Sequence, residues 1–345
     1  MWEAAGMYHR WLDRWDEQRA SRGDVPKEEA AYVLDAELAF PDSHGVTSLA
    51  EFCALADRAT VDPTFFADPG QKDTVVTRED GWIRFKSSVS TGVEENDLVW
   101  AKVTKRRSTD RALVVFHHWN ASFRSPKIAN FFSRRAVAVV EMAMPYHLER
   151  SRPASSYADY MLSPNLGRTM QSMRQAVLDG RKLIRALKNE GYEDISVLGM
   201  SLGSWVAGLI AAHDPIVRRA ALFLSAGSLA DMVWTGRATH HIRASLEPEI
   251  SLVDLRRAWG PLNLENYADN LARTDLDLQF VFATRDTVVL PELSKHLMAK
   301  LENAGAAPGI LELNCGHYSL SLPPQIIWAG MSVLRLLSRS GRSVL

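Results

Sequence analysis

From Gly81 onward, short apolar segments alternate with longer stretches of helical spacing, and this alternation sets the reading of the chain. Residues 82–89, 98–104 and 112–116 read as short strands, the last running into His117-His118-Trp119-Asn120. A helical stretch near Ser125 to Arg135 precedes Ala136 to Met144, a nearly continuous apolar run of the kind a parallel strand covered on both faces requires, ended by Pro145. Helical spacing then runs from Leu166 to Gly191, a glycine suited to the left-handed residue that closes a helix. The short strand 195–198 leads into Gly199-Met200-Ser201-Leu202-Gly203 and a helix over about 204–212. Strands at 220–224, 278–283 and 310–313 follow, and Gln325 to Leu337 reads as a closing helix.

Strands alternating with helices in this way predict a mostly parallel, doubly wound α/β sheet with helices on both faces. Between Ser225 and Asp277 the pattern is helical without a strand, so 228–273 is predicted as a helical cap. Residues 1–72 read as an N-terminal helical extension, leaving 73–345 as the α/β domain that carries the cap. In the extension Trp2, Trp11, Leu12 and Trp15 partly follow helical spacing, and an Ala-rich stretch runs from Pro26 to Phe40. Those tryptophans are expected to pack on the α/β domain, with a membrane-surface, partner or homodimer surface as the alternative. Asp62 to Asp73, with Pro63, Pro69 and Gly70, is the nearest thing to a linker.

Composition narrows the class of partner. The 345 residues are 46% hydrophobic and 23% charged, enough to bury a large core. Lys plus Arg number 40 against 41 Asp plus Glu, and a net charge of -1 gives no electrostatic reason to expect nucleic acid. Cys53 and Cys315 are too few for a disulfide framework, and the first twenty residues lack the apolar run of an export signal. A soluble protein of a reducing cytoplasm, with no integral membrane segment, is expected.

A serine hydroxyl is a weak nucleophile that needs an adjacent base, a group orienting that base, and donors for an oxyanion. Ser201 sits where a buried strand turns sharply into a helix, with Gly199 and Gly203 leaving room for the turn. With these residues the chain resembles the α/β-hydrolase superfamily over about residues 81–340. The resemblance implies a chain order of nucleophile, acid and histidine, which places the acid at Asp286 and the histidine at His317, with Asp231 as the reserve acid. It also implies an oxyanion hole from the Leu202 N–H and one from His118 or Trp119. Here the sequence departs from the family, which has His-Gly after that strand, so Asn120 or a histidine side chain is a further candidate. Met144-Pro145-Tyr146-His147, the long helix and Gly-Met-Ser-Leu-Gly together resemble lipid- and ester-cleaving members.

Tyr146, His147 and Arg150 follow a strand at the same sheet edge as Ser201 and are candidate substrate contacts, as is Trp234 in the cap. Met142, Met144, Trp205, Met232 and Trp259 are expected near the pocket or in the core. The pairs His117-His118 and His240-His241 lack a carboxylate at matched helical spacing, so no metal or other cofactor is expected, and Cys315 reads as a small buried apolar residue. The resulting expectation is a serine hydrolase that cleaves an ester or thioester of a largely apolar or lipid-like small molecule through an acyl-enzyme. Acyl transfer, carbon-carbon cleavage and a catalytically silent binding protein are the rival readings.

Overall fold

The structure is a computed structural model and describes residues 2–23, 27, 30–67, 76–155 and 157–339. The linker expected at Asp62 to Asp73 and the stretch Pro26 to Phe40 lie in part outside the described residues.

Nine strands form one sheet: β1 (Thr77–Glu79), β2 (Trp82–Lys86), β3 (Leu98–Thr104), β4 (Arg111–Phe116), β5 (Ala138–Met142), β6 (Asp194–Met200), β7 (Arg219–Phe223), β8 (Asp277–Ala283) and β9 (Gly309–Leu313). Their spatial order is β1-β2-β3-β5-β4-β6-β7-β8-β9. Pairing is antiparallel from β1 through the β3–β5 contact and parallel from β5 to β9. The parallel strands are apolar on both faces because both are covered. Leu113, Val115, Val139 and Leu198 enter one core, while Val114, Phe116, Val140 and Val197 enter the other. After β4 the chain places β5 on one side and β6 on the other, and ligands of open α/β sheets bind beyond the strand ends at such a reversal.

Three helices come before the sheet: α1 (Trp2–Gly23), α2 (Ala36–Ala39) and α3 (Leu49–Val61), the last opened by a capping box between Ser48 and Glu51. Within the α/β region lie α4 (Glu94–Asp97), α5 (Pro126–Ser133), α6 (Leu166–Asn189) and α7 (Leu202–His213). The segment expected as a cap carries α8 (Leu229–Thr235), α9 (His240–Leu246), α10 (Leu252–Ala258) and α11 (Ala268–Leu271), and α12 (Pro291–Asn303) and α13 (Gln325–Leu337) follow. Leu12 of α1 joins α5 and α13 over one face of the sheet, and α3, α6 and α7 cover the other.

The cap segment is bound to its surroundings. Leu229, Val233, Leu255, Trp259 and Leu262 are buried in the larger core, and the Trp259 indole donates to the Leu166 carbonyl at 3.3 Å. Arg257 pairs with Asp57 of α3 at 2.6 Å, and the Cys53 thiol lies 3.8 Å from the Asp254 carbonyl.

Strand β3 and helix α13 have the bounds that the spacing predicts. Strand β2 stops three residues early, because Ser87 leaves the sheet to bond Asp179 of α6 at 2.8 Å. No helix among the described residues is long and apolar enough to cross a membrane.

Candidate active site

Ser201 is held at φ 52° and ψ −124°, a conformation an L-residue adopts only when its surroundings enforce it. Its N–H donates to the Phe223 carbonyl of β7 at 2.9 Å, and its own carbonyl accepts from the Ser204 N–H at 2.7 Å. A side chain at Gly199 would collide with the Gly203 carbonyl and the Ser204 backbone, and one at Gly203 with the Phe116 and His117 carbonyls. The two glycines therefore let α7 turn back tightly on β6 and pack against the end of β4.

The turn aims the Ser201 hydroxyl at His317 in the loop after β9. Oγ lies 3.1 Å from His317 Nε2, and His317 Nδ1 lies 2.7 Å from Asp286 Oδ2. The other carboxylate oxygen of Asp286 accepts the N–H groups of Val288 and Val289, both at 2.8 Å. These bonds fix the carboxylate in the loop after β8, where it is 4% exposed. Such a line can pass the serine proton to the imidazole while the carboxylate holds the tautomer. Asp231, the reserve acid, is engaged elsewhere: both its oxygens pair with Arg256 inside the cap segment.

The expected oxyanion donors lie on α7 and on the loop after β4. Leu202 is the first residue of α7, so its N–H has no partner within the helix. Two buried imidazoles, His117 in the facing loop and His147 in the loop after β5, support this region, and His118 stands where the resembled family has glycine. His117 Nε2 accepts the Met144 N–H at 3.1 Å, and its Nδ1 lies 2.9 Å from the His118 carbonyl. His147 Nε2 accepts the Asn120 N–H at 2.9 Å, and its Nδ1 lies 2.8 Å from the Pro145 carbonyl. The rings meet edge to face at 4.7 Å and join the loop after β4 to the loop after β5. Each must be neutral, since one nitrogen accepts an N–H; burial pushes His117 well below the ordinary imidazole range and His147 down to about 3. With its N–H taken by His147 and its side-chain oxygen by the Ala158 N–H, Asn120 is a fixed part of the loop.

Trp119 donates its indole N–H to the Ala158 carbonyl at 2.9 Å and stacks on His241 of α9, ring centres 6.1 Å apart. His118 is exposed, its Nδ1 2.7 Å from the Trp119 carbonyl.

The structure buries three of the four expected substrate contacts and leaves Trp234 half-buried. His147 is 2% exposed and supports the loop after β4, as described. Tyr146 is buried against Tyr160, ring centres 5.4 Å apart. Arg150 is fully buried and bonds the carbonyls of Asn96 and Ala143 and the carboxylate of Asp179, the last at 2.8 Å. Trp234 lies beneath Arg243, whose guanidinium carbon is 5.6 Å from the ring centre. Met142, Met144, Trp205, Met232 and Trp259 are all packed in the core. Burial pushes the Cys315 thiol up to about 12, and no group of three or more metal-ligating side chains occurs among the described residues.

No protein-family model matches the chain, and no curated protein matches it in sequence. Solved structures do match. Acetyl xylan esterase 1 from Thermoanaerobacterium sp. JW/SL YS485 superposes with a TM-score of 0.57 at 14% identity, over 93% of this chain and 98% of its own. The chain has the α/β-hydrolase fold. Another match to that fold is the acetyl xylan esterase from Paenibacillus sp. R4, with a TM-score of 0.56 at 13% identity over 87% and 98% of the two chains. Pyrococcus horikoshii acylaminoacyl peptidase matches with a TM-score of 0.59 at 10% identity over 82% of this chain, which spans only 44% of that one. In this α/β-hydrolase fold His117 and His147, which the sequence reading named separately, form a pair that it missed. Their pairing joins loops 27 residues apart, and no local spacing encodes it.

Proposed function

We propose that this protein is a serine hydrolase of carboxylic esters acting through an acyl-enzyme. The observation that carries the reading is the line from Ser201 Oγ to His317 Nε2 at 3.1 Å and from His317 Nδ1 to Asp286 at 2.7 Å. Ser201 attacks the ester carbonyl while His317 takes its proton, and the departing alcohol receives that proton from His317. Water then enters by the same relay and releases the acid. The Leu202 N–H, aided by the N-terminal dipole of α7, and an N–H of His118 or Trp119 hold the oxyanion.

An ester is favoured over a peptide because the esterases named above match along nearly their whole length, whereas the peptidase extends far beyond the match. The methionines and tryptophans expected to make an apolar pocket are taken up in the core, which supports a small substrate whose apolar part meets Trp119. The two buried free thiols suit a reducing compartment such as the cytoplasm.

A fluorophosphonate probe read by intact mass tests the assignment. A single adduct on the wild type and none on Ser201→Ala is expected, with aryl-ester hydrolysis falling by about 10⁴-fold or more in that variant. A folded wild type that takes no adduct overturns it in favour of a silent binder. Product formed only with an added alcohol or amine acceptor would assign acyl transfer instead.

A further inference from the structure

Helix α1 reaches the loop after β8, the loop after β9 and the 228–273 segment, and it does so with one face. His9, Asp13, Asp16 and Glu17 fall within about two turns at spacings of three and four, beside the buried Leu12 and Ala20. Asp13 pairs at 2.5 Å with Arg285, the neighbour of Asp286, and Arg285 also donates to the His9 and Asn314 carbonyls. Glu17 pairs with Arg237 of the cap segment at 2.7 Å. Between them, Asp16 Oδ1 accepts the N–H of Tyr318 at 2.8 Å and that of Ser319 at 3.1 Å, the two peptide groups directly after His317.

The loop that carries His317 is shaped around this carboxylate. A side chain on Gly316 would lie 2.5 Å from the Asp16 Cγ, and the Gly316 N–H is turned inward to the Ser319 hydroxyl at 2.9 Å. Among the described residues the buried Asp16 Oδ2 has no hydrogen-bond partner, a costly arrangement for a carboxylate that serves stability alone. The exposed pairs of Asp13 and Glu17 add little energy by themselves, whereas a hydrogen-bonded carboxylate behind the histidine restricts the loop directly.

We propose that Asp16 is a positioning residue for catalysis, holding His317 in line with Ser201 and Asp286 through the N–H groups of Tyr318 and Ser319. The N-terminal helix thereby becomes part of the active site of a domain that begins some sixty residues later. This inference rests on the proposed roles of Ser201, His317 and Asp286.

The test compares wild type with Asp16→Ala and Asp16→Asn by three readouts: fluorophosphonate labelling rate, ester kinetics, and the downfield proton resonance of the His317 to Asp286 hydrogen bond. In Asp16→Ala, labelling and kcat are expected to fall about tenfold to a hundredfold with KM within about twofold, and the resonance to broaden. Asparagine keeps an acceptor oxygen and is expected to restore the rate to within about threefold of wild type. Wild-type labelling and an unchanged resonance in folded Asp16→Ala overturn the inference, as does a loss of rate that only follows the unfolded fraction. If Asp16→Ala does not fold, Asp16→Glu, which displaces the carboxylate by one methylene, is expected to show the same fall. A wild type that does not label defeats the hydrolase reading instead, and the resonance then decides the role of Asp16.

Discussion

At the scale of the residue, the two buried imidazoles behind the loop after β4 have the clearest measurable signature. The native state keeps His147 neutral down to about pH 3 and His117 neutral well below the ordinary range, whereas the unfolded chain protonates both near 6.5. Below that pH the unfolded state binds more protons, so stability is full above about 6.5 and is lost as pH falls. Each histidine contributes a slope of roughly 1.4 kcal/mol per pH unit. His213 and His241, both lowered to about 4 by burial, act in the same direction. Urea unfolding between pH 7 and pH 5 should show this slope, and in His147→Phe it should be shallower by about one proton. An unchanged slope would mean that His147 is not held neutral. The resemblance to the α/β hydrolases placed Ser201, Asp286 and His317 at strand ends, and the fold brings the three side chains within hydrogen-bond distance. His147 was legible only as a residue at the same edge; its acceptor role depends on a contact with Asn120 that no pattern contains.

Among elements, the junction of β3, β5 and α6 turns on Arg150 and Asp179, whose side chains are both wholly buried. Arg150 ties Asn96, just before β3, and Ala143, just after β5, to the middle of α6, and Ser87 completes the coordination of Asp179. Burial raises the Asp179 carboxyl, and the Arg150 guanidinium opposes that rise. Removing one partner leaves the other charged and unpaired in the core. Arg150→Ala is therefore expected to lose about 3–5 kcal/mol in denaturant unfolding, while fluorophosphonate labelling of the folded fraction stays at the wild-type rate. Proximity to a strand end in sequence suggested a ligand contact for this arginine, and only the fold shows its guanidinium turned into the core. The elements themselves were largely legible, since the parallel strands are continuous apolar runs and α13 is strongly amphipathic. Strand β1 is three exposed residues and carries no such pattern.

For the whole molecule, the segment from 228 to 273 reads as a lid by length and helical content, yet its packing ties it to the body. Trp259 is buried under α6, and α10 rests on α3. Hydrogen exchange should therefore find amides of Leu255 and Trp259 opening with nearly the same free energy as those of β6 and β7. Early exchange of the segment as a separate unit would show instead that it lifts away. If the segment instead opens only with the body, small substrates enter through side-chain movement around Trp119 and His241, not through a hinged domain.

The contact between Asp16 and Tyr318 spans 302 positions of the chain. During synthesis Asp16 leaves the ribosome long before the loop it clasps exists, so a nascent chain with Ser201 already exposed has neither its histidine nor the brace behind it. If the proposed function holds, its reactivity would arise in a single late event, when β9 closes the edge of the sheet, and the unfinished protein would be chemically quiet by construction.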